Sequence, residues 1–105
     1  MSVLDTQSSF LPKIVKSNTE QRAKIFAALA DPTRLGIVEL LAVQGEMSSS
    51  EIANQAEISL ALLCHHSKIL AESGLVHTRK DGQTRYNRLN RDLLETCFAS
   101  LMERK

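Results

Sequence analysis

Residues 58–89, ISLALLCHHSKILAESGLVHTRKDGQTRYNRL, change hydrophobic period once, and that change limits what the chain can become. Before Gly74, Leu63, Ser67 and Leu70 share one face at helical spacing, and Ser59 stands where a helix N-cap belongs. After Gly74, Val76, Thr78, Arg85 and Tyr86 favour extended backbone, and Asp81-Gly82 is a strong hairpin turn signal. The pattern predicts a helix over about 59–73, then a two-stranded ribbon over about 75–80 and 83–89.

Three helices are expected upstream. TEQRAKIFAALA, residues 19–30, places Ala23, Phe26, Ala27 and Ala30 on one stripe, with Ile25 and Leu29 beside it. Asp31 is a cap for the next helix and Pro32 suits its first position. That helix is expected to bury Leu35, Ile37, Val38, Leu40 and Leu41, and Gly45 ends it. Ser48 stands three residues before Glu51, the spacing of a capping box, and Ile52, Ala53 and Ala56 suit a short helix. Downstream, RDLLETCFASLMERK carries Leu94, Cys97, Phe98, Leu101 and Met102 on one stripe.

Residues 1–17 read as an N-terminal arm, either partly ordered or a short packed turn built on Phe10, Leu11, Ile14 and Val15. Residues 18–105 read as one domain. The expected class is mainly α with a small β-hairpin, in the order α-α-α-α-β-β-α. A short helix, a tight turn and a second capped helix make a helix-turn-helix, and a basic hairpin directly after it makes a winged one.

Composition narrows the function. A chain of 105 residues has room for one modest core, and with no Trp, one Tyr and three Phe that core is aliphatic. Net charge is only +1, so any nucleic-acid footprint is local. Two cysteines do not make a disulfide scaffold. The N-terminus has no apolar signal region and no apolar run spans a bilayer, so a reducing bacterial cytoplasm is the expected address. No nucleophile stands with a base, and no glycine-rich phosphate loop is present, so an enzyme and a cofactor are not expected. Cys64, His65 and His66 are consecutive and fan around their helix, so they do not converge on one metal ion.

A recognition helix enters the major groove by its N-terminal half. The candidate groove-facing residues are therefore Ser59, Ala61, Leu62, Cys64 and His65, with Lys68 near a phosphate. No Arg, Asn or Gln offers a bidentate pair with a purine there, which leaves apolar contact, one hydrogen bond from His65, and DNA shape as means of readout. In the hairpin, Arg79, Lys80 and Arg85 are candidate phosphate contacts, and Gln83 and Thr84 candidate hydrogen-bond donors. The plainer alternative is a solvated hairpin with ordinary surface charge. Another is a winged-helix module that binds protein through the apolar start of the helix; steep salt dependence would mark DNA instead.

Cys64 is either a small half-buried side chain or a redox switch whose oxidation weakens DNA binding. Cys97 is either a packing residue or, across a two-fold axis, half of an intersubunit disulfide. His66 is expected near the core and His77 at the surface.

LADPTRLGIVELL, GLVHTRKDGQTRYNRL and the pair His65-His66 together resemble the ArsR/SmtB family of bacterial winged-helix transcriptional repressors, over roughly residues 20–104. The resemblance implies a homodimer built from the first and last helices, double-stranded operator DNA as partner, and release by a metal, a metalloid or a redox signal. The apolar stripes agree with such pairing, and its candidate residues are Ile25, Phe26, Leu29, Leu94, Cys97, Phe98 and Leu101. Two departures stand out. Ser48 and Ser50 occupy the places of the thiolates in metal-responsive members, and the last helix holds Asp92 and Glu95 but no His. Serine hydroxyls are poor ligands for soft ions. The implied regulator is a repressor responsive to thiol oxidation rather than to metal, or one without a small-molecule inducer. Cys64 and Ser67 also stand where the family usually has Ser and a core leucine, respectively.

Overall fold

The computed structural model describes residues 13–102, and the side chains from residue 19 onward. Helix α1 spans Lys13–Leu29, α2 Pro32–Gln44, β1 Met47–Ser48, α3 Ser49–Ala56, α4 Leu60–Glu72, β2 Val76–Asp81, β3 Thr84–Leu89 and α5 Arg91–Met102. Helix α1 thus begins before the point where the sequence pattern ends the arm, taking in the backbone of Ile14 and Val15. Phe10 and Leu11 lie outside the described residues.

Local chemistry sets most helix ends. The Asp31 carboxylate accepts from the Arg34 N–H at 3.0 Å and starts α2, with Pro32 inside its first turn. That bond, above all, holds the Asp31 carboxyl below its ordinary range, and the charge of Arg34 acts in the same direction. Ser48 and Glu51 exchange both bonds of a capping box, at 3.1 and 2.8 Å. Ser59 Oγ accepts from the Leu62 N–H at 3.0 Å and starts α4. Gly74 follows α4 at φ 88°, and a Cβ there would meet Leu93 Cδ2 at 3.0 Å, so both backbone and space call for glycine. The turn between α3 and α4 is reversed by Glu57 at φ 58°, a left-handed residue that is not glycine.

The core is aliphatic, but Leu35, expected inside it, is exposed, because α2 turns Ile37, Val38 and Leu41 inward. Ile25, Leu41, Ile52, Leu63, Leu70 and Leu75 are the core's fully buried centre, with one or more residues from each of α1 to α4. Each such side chain contributes roughly 1.5–3 kcal/mol when removed from water. Helix α4 rests on this core through Leu63, His66, Ser67 and Leu70.

The sheet has three strands rather than the expected two, in the order β1-β3-β2 and antiparallel throughout. Met47 and Ser48 pair with Asn87 and Tyr86. The hairpin turn is Gly82-Gln83, one residue later than the Asp81-Gly82 expected from composition. Lys80 therefore faces Arg85, and Asp81 faces Thr84. Gly82 has φ 65° and Gln83 does not have positive φ, the pattern of a type II′ turn.

A buried polar node joins the wing to α4. Asn87 is 1 % exposed; its Oδ1 accepts from Ser67 Oγ at 2.7 Å, and its Nδ2 donates to Ser49 Oγ at 3.1 Å and to the Met47 carbonyl at 3.4 Å. The unusual serine on the packed face of α4 thus has its partner 20 residues away, on β3.

Two residues expected at a dimer face lie inside the chain's own core instead. Ile25 is 1 % exposed and Cys97 is 3 % exposed, each covered by the packing of α1 and α5 on the core. Leu94 and Leu29 are partly buried against that core. Phe98, Leu101 and Met102 are exposed, and the Phe26 ring lies 6.0 Å from that of Phe98.

Candidate nucleic-acid interface

The packed face of α4 decides what its other side offers. With Leu63, His66, Ser67 and Leu70 inward, Ala61, His65, Lys68 and Glu72 point outward, at about 100° per residue. Leu60 and Cys64 flank this ridge on the side of the wing, and Leu62 flanks it on the other. Ser59, Ala61, Leu62, Cys64, His65 and Lys68 are all exposed, and so are Gln83 and Thr84 at the wing tip. The Ser59 hydroxyl oxygen is engaged in the cap. Leu60, at the margin of the expected packed face, is 49 % exposed.

His66 is held from below. Arg34 donates to its Nδ1 at 3.2 Å while donating to the Ala28 carbonyl at 2.7 Å, and Asp31 lies 3.9 Å from the same ring nitrogen. An imidazole nitrogen that accepts from a guanidinium carries no proton there. One arginine thereby links the end of α1, the start of α2 and α4.

Strand alternation divides the wing into two faces. Thr78, Lys80, Arg85 and Asn87 share one, towards α4. Between this face and the helix run two adjoining clefts of about 430 and 260 Å³. Cys64 and Arg85 line both, Lys68 the first and Lys80 the second. Among the described residues, Lys68, Lys80 and Arg85 have no ion pair. Lys80 and Arg85 are directly opposed across the ladder, an unfavourable like-charge pair that an anion between them would relieve.

Arg79, also expected among the phosphate contacts, differs from the others in its setting. It lies on the other face, where its Nε and Nη2 donate to Glu46 at 3.1 and 2.9 Å and its guanidinium stacks 4.5 Å from the centre of the Tyr86 ring. The bond from Arg79 holds the Glu46 carboxyl below its ordinary range. An arginine so engaged braces β2 against the loop before β1. Nothing local foretold it, because Glu46 is 33 residues away.

The two thiols differ in setting. Cys64 is exposed in the cleft, whereas Cys97 is buried between α1 and α5, where burial pushes its thiol up despite the nearby Arg22 charge. The metal positions implied by the family do not fit a soft ion: Ser48 is committed to the capping box and Ser50 offers only a hydroxyl. Among the described residues, no three His, Cys, Asp or Glu cluster as a metal site would require. No helix among them is long and apolar enough to cross a membrane.

A helix-turn-helix over α3 and α4, with a basic wing set beside the second helix, defines a winged helix-turn-helix DNA-binding domain. A family model described as a helix-turn-helix domain matches residues 22–79. The chain is 38% identical over 89 residues to an uncharacterized HTH-type transcriptional regulator of Bacillus subtilis (strain 168), YceK, covering 84% of this chain and 89% of that one. It is 33% identical over 82 residues to the arsenical resistance operon repressor of Staphylococcus aureus, covering 78% of each chain. Among solved structures, the homodimeric winged helix-turn-helix domain Mb0332 of Mycobacterium bovis superposes with a TM-score of 0.71 at 30% identity, covering 83% of this chain and 81% of that one. The chain belongs to the ArsR/SmtB family of winged helix-turn-helix transcriptional regulators, which are DNA-binding proteins and not enzymes.

Proposed function

We propose that this protein is a homodimeric repressor that binds a two-fold operator. The cleft between α4 and the wing carries the reading. Lys68, Lys80 and Arg85 line it with no ion-pair partner among the described residues, beside the exposed N-terminal half of a capped helix. Phosphates seat on these three cations, and Ala61, Leu62, Cys64 and His65 enter the major groove. Gln83 and Thr84 at the wing tip add hydrogen bonds. Dimerisation covers Phe98, Leu101 and Met102, which one chain leaves exposed, together with the partly buried Phe26, Leu29 and Leu94. Homodimers are also known for the Mycobacterium bovis domain.

Fluorescence anisotropy with labelled duplexes tests the binding. Affinity should fall linearly on a log–log plot against salt, with a slope near −0.9 for each phosphate neutralised. Salt-independent binding, or a monomer in sedimentation equilibrium, contradicts the reading.

The exposed position of Cys64 favours a thiol signal. Oxidation there adds oxygen, and at the sulfinic stage a negative charge, between the helix and the phosphates. Cys97 is no part of this switch, since its thiol is shielded. Peroxide should weaken DNA binding by the natural chain and not by Cys64→Ser. An unchanged peroxide response in Cys64→Ser ends the proposal.

A further inference from the structure

The first turn of α4 is apolar across its whole exposed width. Leu60 at 49 % and Leu62 at 43 % exposure are among the few large apolar side chains open to solvent, and Ala61 lies between them at the crest. They follow one another, so they fan from the wing side of the helix, over its ridge, to the far side. Packing does not account for them: Leu63 and Leu70 already fill the inward face and are fully buried. Neither leucine belongs to the apolar surface of α1 and α5. Leu60 instead lines the same cleft as Lys80, Gln83, Thr84 and Arg85.

What sits on this tip must satisfy both chemistries at once: anionic where Lys68, Lys80 and Arg85 stand, apolar a few residues away. An apolar protein groove meets the second demand and not the first, and an anionic membrane surface, which offers both, is not the ligand of the DNA-binding family to which this chain belongs. The major groove of DNA meets both, because phosphates line its rim and thymine C5-methyl groups stud its walls. Cytosine has only a hydrogen at that carbon, and adenine and guanine carry no methyl there.

Resting on the DNA-binding reading above, we infer that Leu60, Ala61 and Leu62 read thymine methyl groups, and that the operator half-site is specified chiefly by thymines at the steps under the first turn of α4. Specificity is then shape matching of methyl to methyl rather than hydrogen-bond pairing, with His65 the one polar reader beside it. Ser59 caps the helix and holds this turn at the groove.

The test uses the full chain. A duplex is first selected from a random-sequence library, and its thymines are then replaced singly by deoxyuracil, which removes the methyl and leaves every hydrogen-bonding group in place. Each contacted thymine should cost about fourfold in affinity, the worth of one buried methyl-sized group. Leu60→Ala and Leu62→Ala are exposed-site changes, checked for fold by circular dichroism. They should bind the thymine duplex more weakly and the uracil duplexes about equally, erasing the discrimination. Equal affinity of the natural chain for thymine and uracil duplexes overturns the inference while leaving DNA binding intact. So does a selection that converges on no sequence. Equal weakening of both duplexes by the leucine variants assigns those residues a structural role and also overturns it. Retention of no duplex at all overturns the DNA-binding reading itself.

Discussion

The two faces of the wing carry the same kind of charge and use it differently. Towards α4, Lys80 and Arg85 oppose each other across the ladder with no acid among the described residues near enough to pair. On the far face, Arg79 is spent: Glu46 takes two of its N–H groups and Tyr86 takes its plane. One residue of displacement along β2 separates a cation held open for an anion from one that holds the protein together. A basic wing is therefore not a uniform patch, and counting its charges overstates what it offers to DNA.

Removing the root of the open face should have the largest effect. Asn87→Ala takes both ends of the buried node, leaving the Ser67 and Ser49 hydroxyls without it, and should cost about 2–3 kcal/mol of stability in urea unfolding. A loss much below that would mean water replaces the amide and the wing is not held by it.

The faces themselves separate next. Arg85→Ala or Lys80→Ala should weaken DNA binding for all sequences and lower the salt slope by about 1 each. Arg79→Ala should leave the slope unchanged. An equal drop for Arg79→Ala would show that the Glu46 pair opens on DNA and that the two faces are not distinct.

Thiol labelling sharpens the contrast from the helix side. With Ellman's reagent, the native protein should release one equivalent quickly, from Cys64, and the second only in denaturant, from Cys97. Fast loss of both would mean that α5 opens readily from α1.

The smallest effect belongs to the pair on the far face. Glu46 has its carboxyl lowered in the folded chain by the bond from Arg79, so its contribution is present above the ordinary carboxylate range and is lost as pH falls through the lowered value. Glu46→Gln should flatten the acid limb of stability slightly, and salt should shrink the difference, since both partners are exposed to solvent. A large effect would mark Glu46 as structurally essential.

Much of the molecule was legible because its signals are local. Asp31 with Pro32, Ser48 with Glu51, and Ser59 each announce a helix start within a few residues, and their hydrogen bonds form as the spacing implies. The inward face of α4 follows from its helical period. Side-chain alternation in β2 and β3 survives the register change, because a shift of two residues keeps every side chain on its face. The two-residue strand β1 carries no pattern of its own and exists only because β3 offers it a ladder 40 residues away.

The chain's own sequence determined the order of elements, the caps, the outward ridge of α4 and the family to which it belongs, since these depend on neighbours three or four residues apart. Tertiary structure alone decided that Arg79 is engaged and Arg85 open, that Ser67 has Asn87 for a partner, and that Ile25 and Cys97 belong to the core rather than to a dimer face. Each of these rests on a contact between residues far apart in the chain, and burial or charge pairing exists only once packing has brought them together.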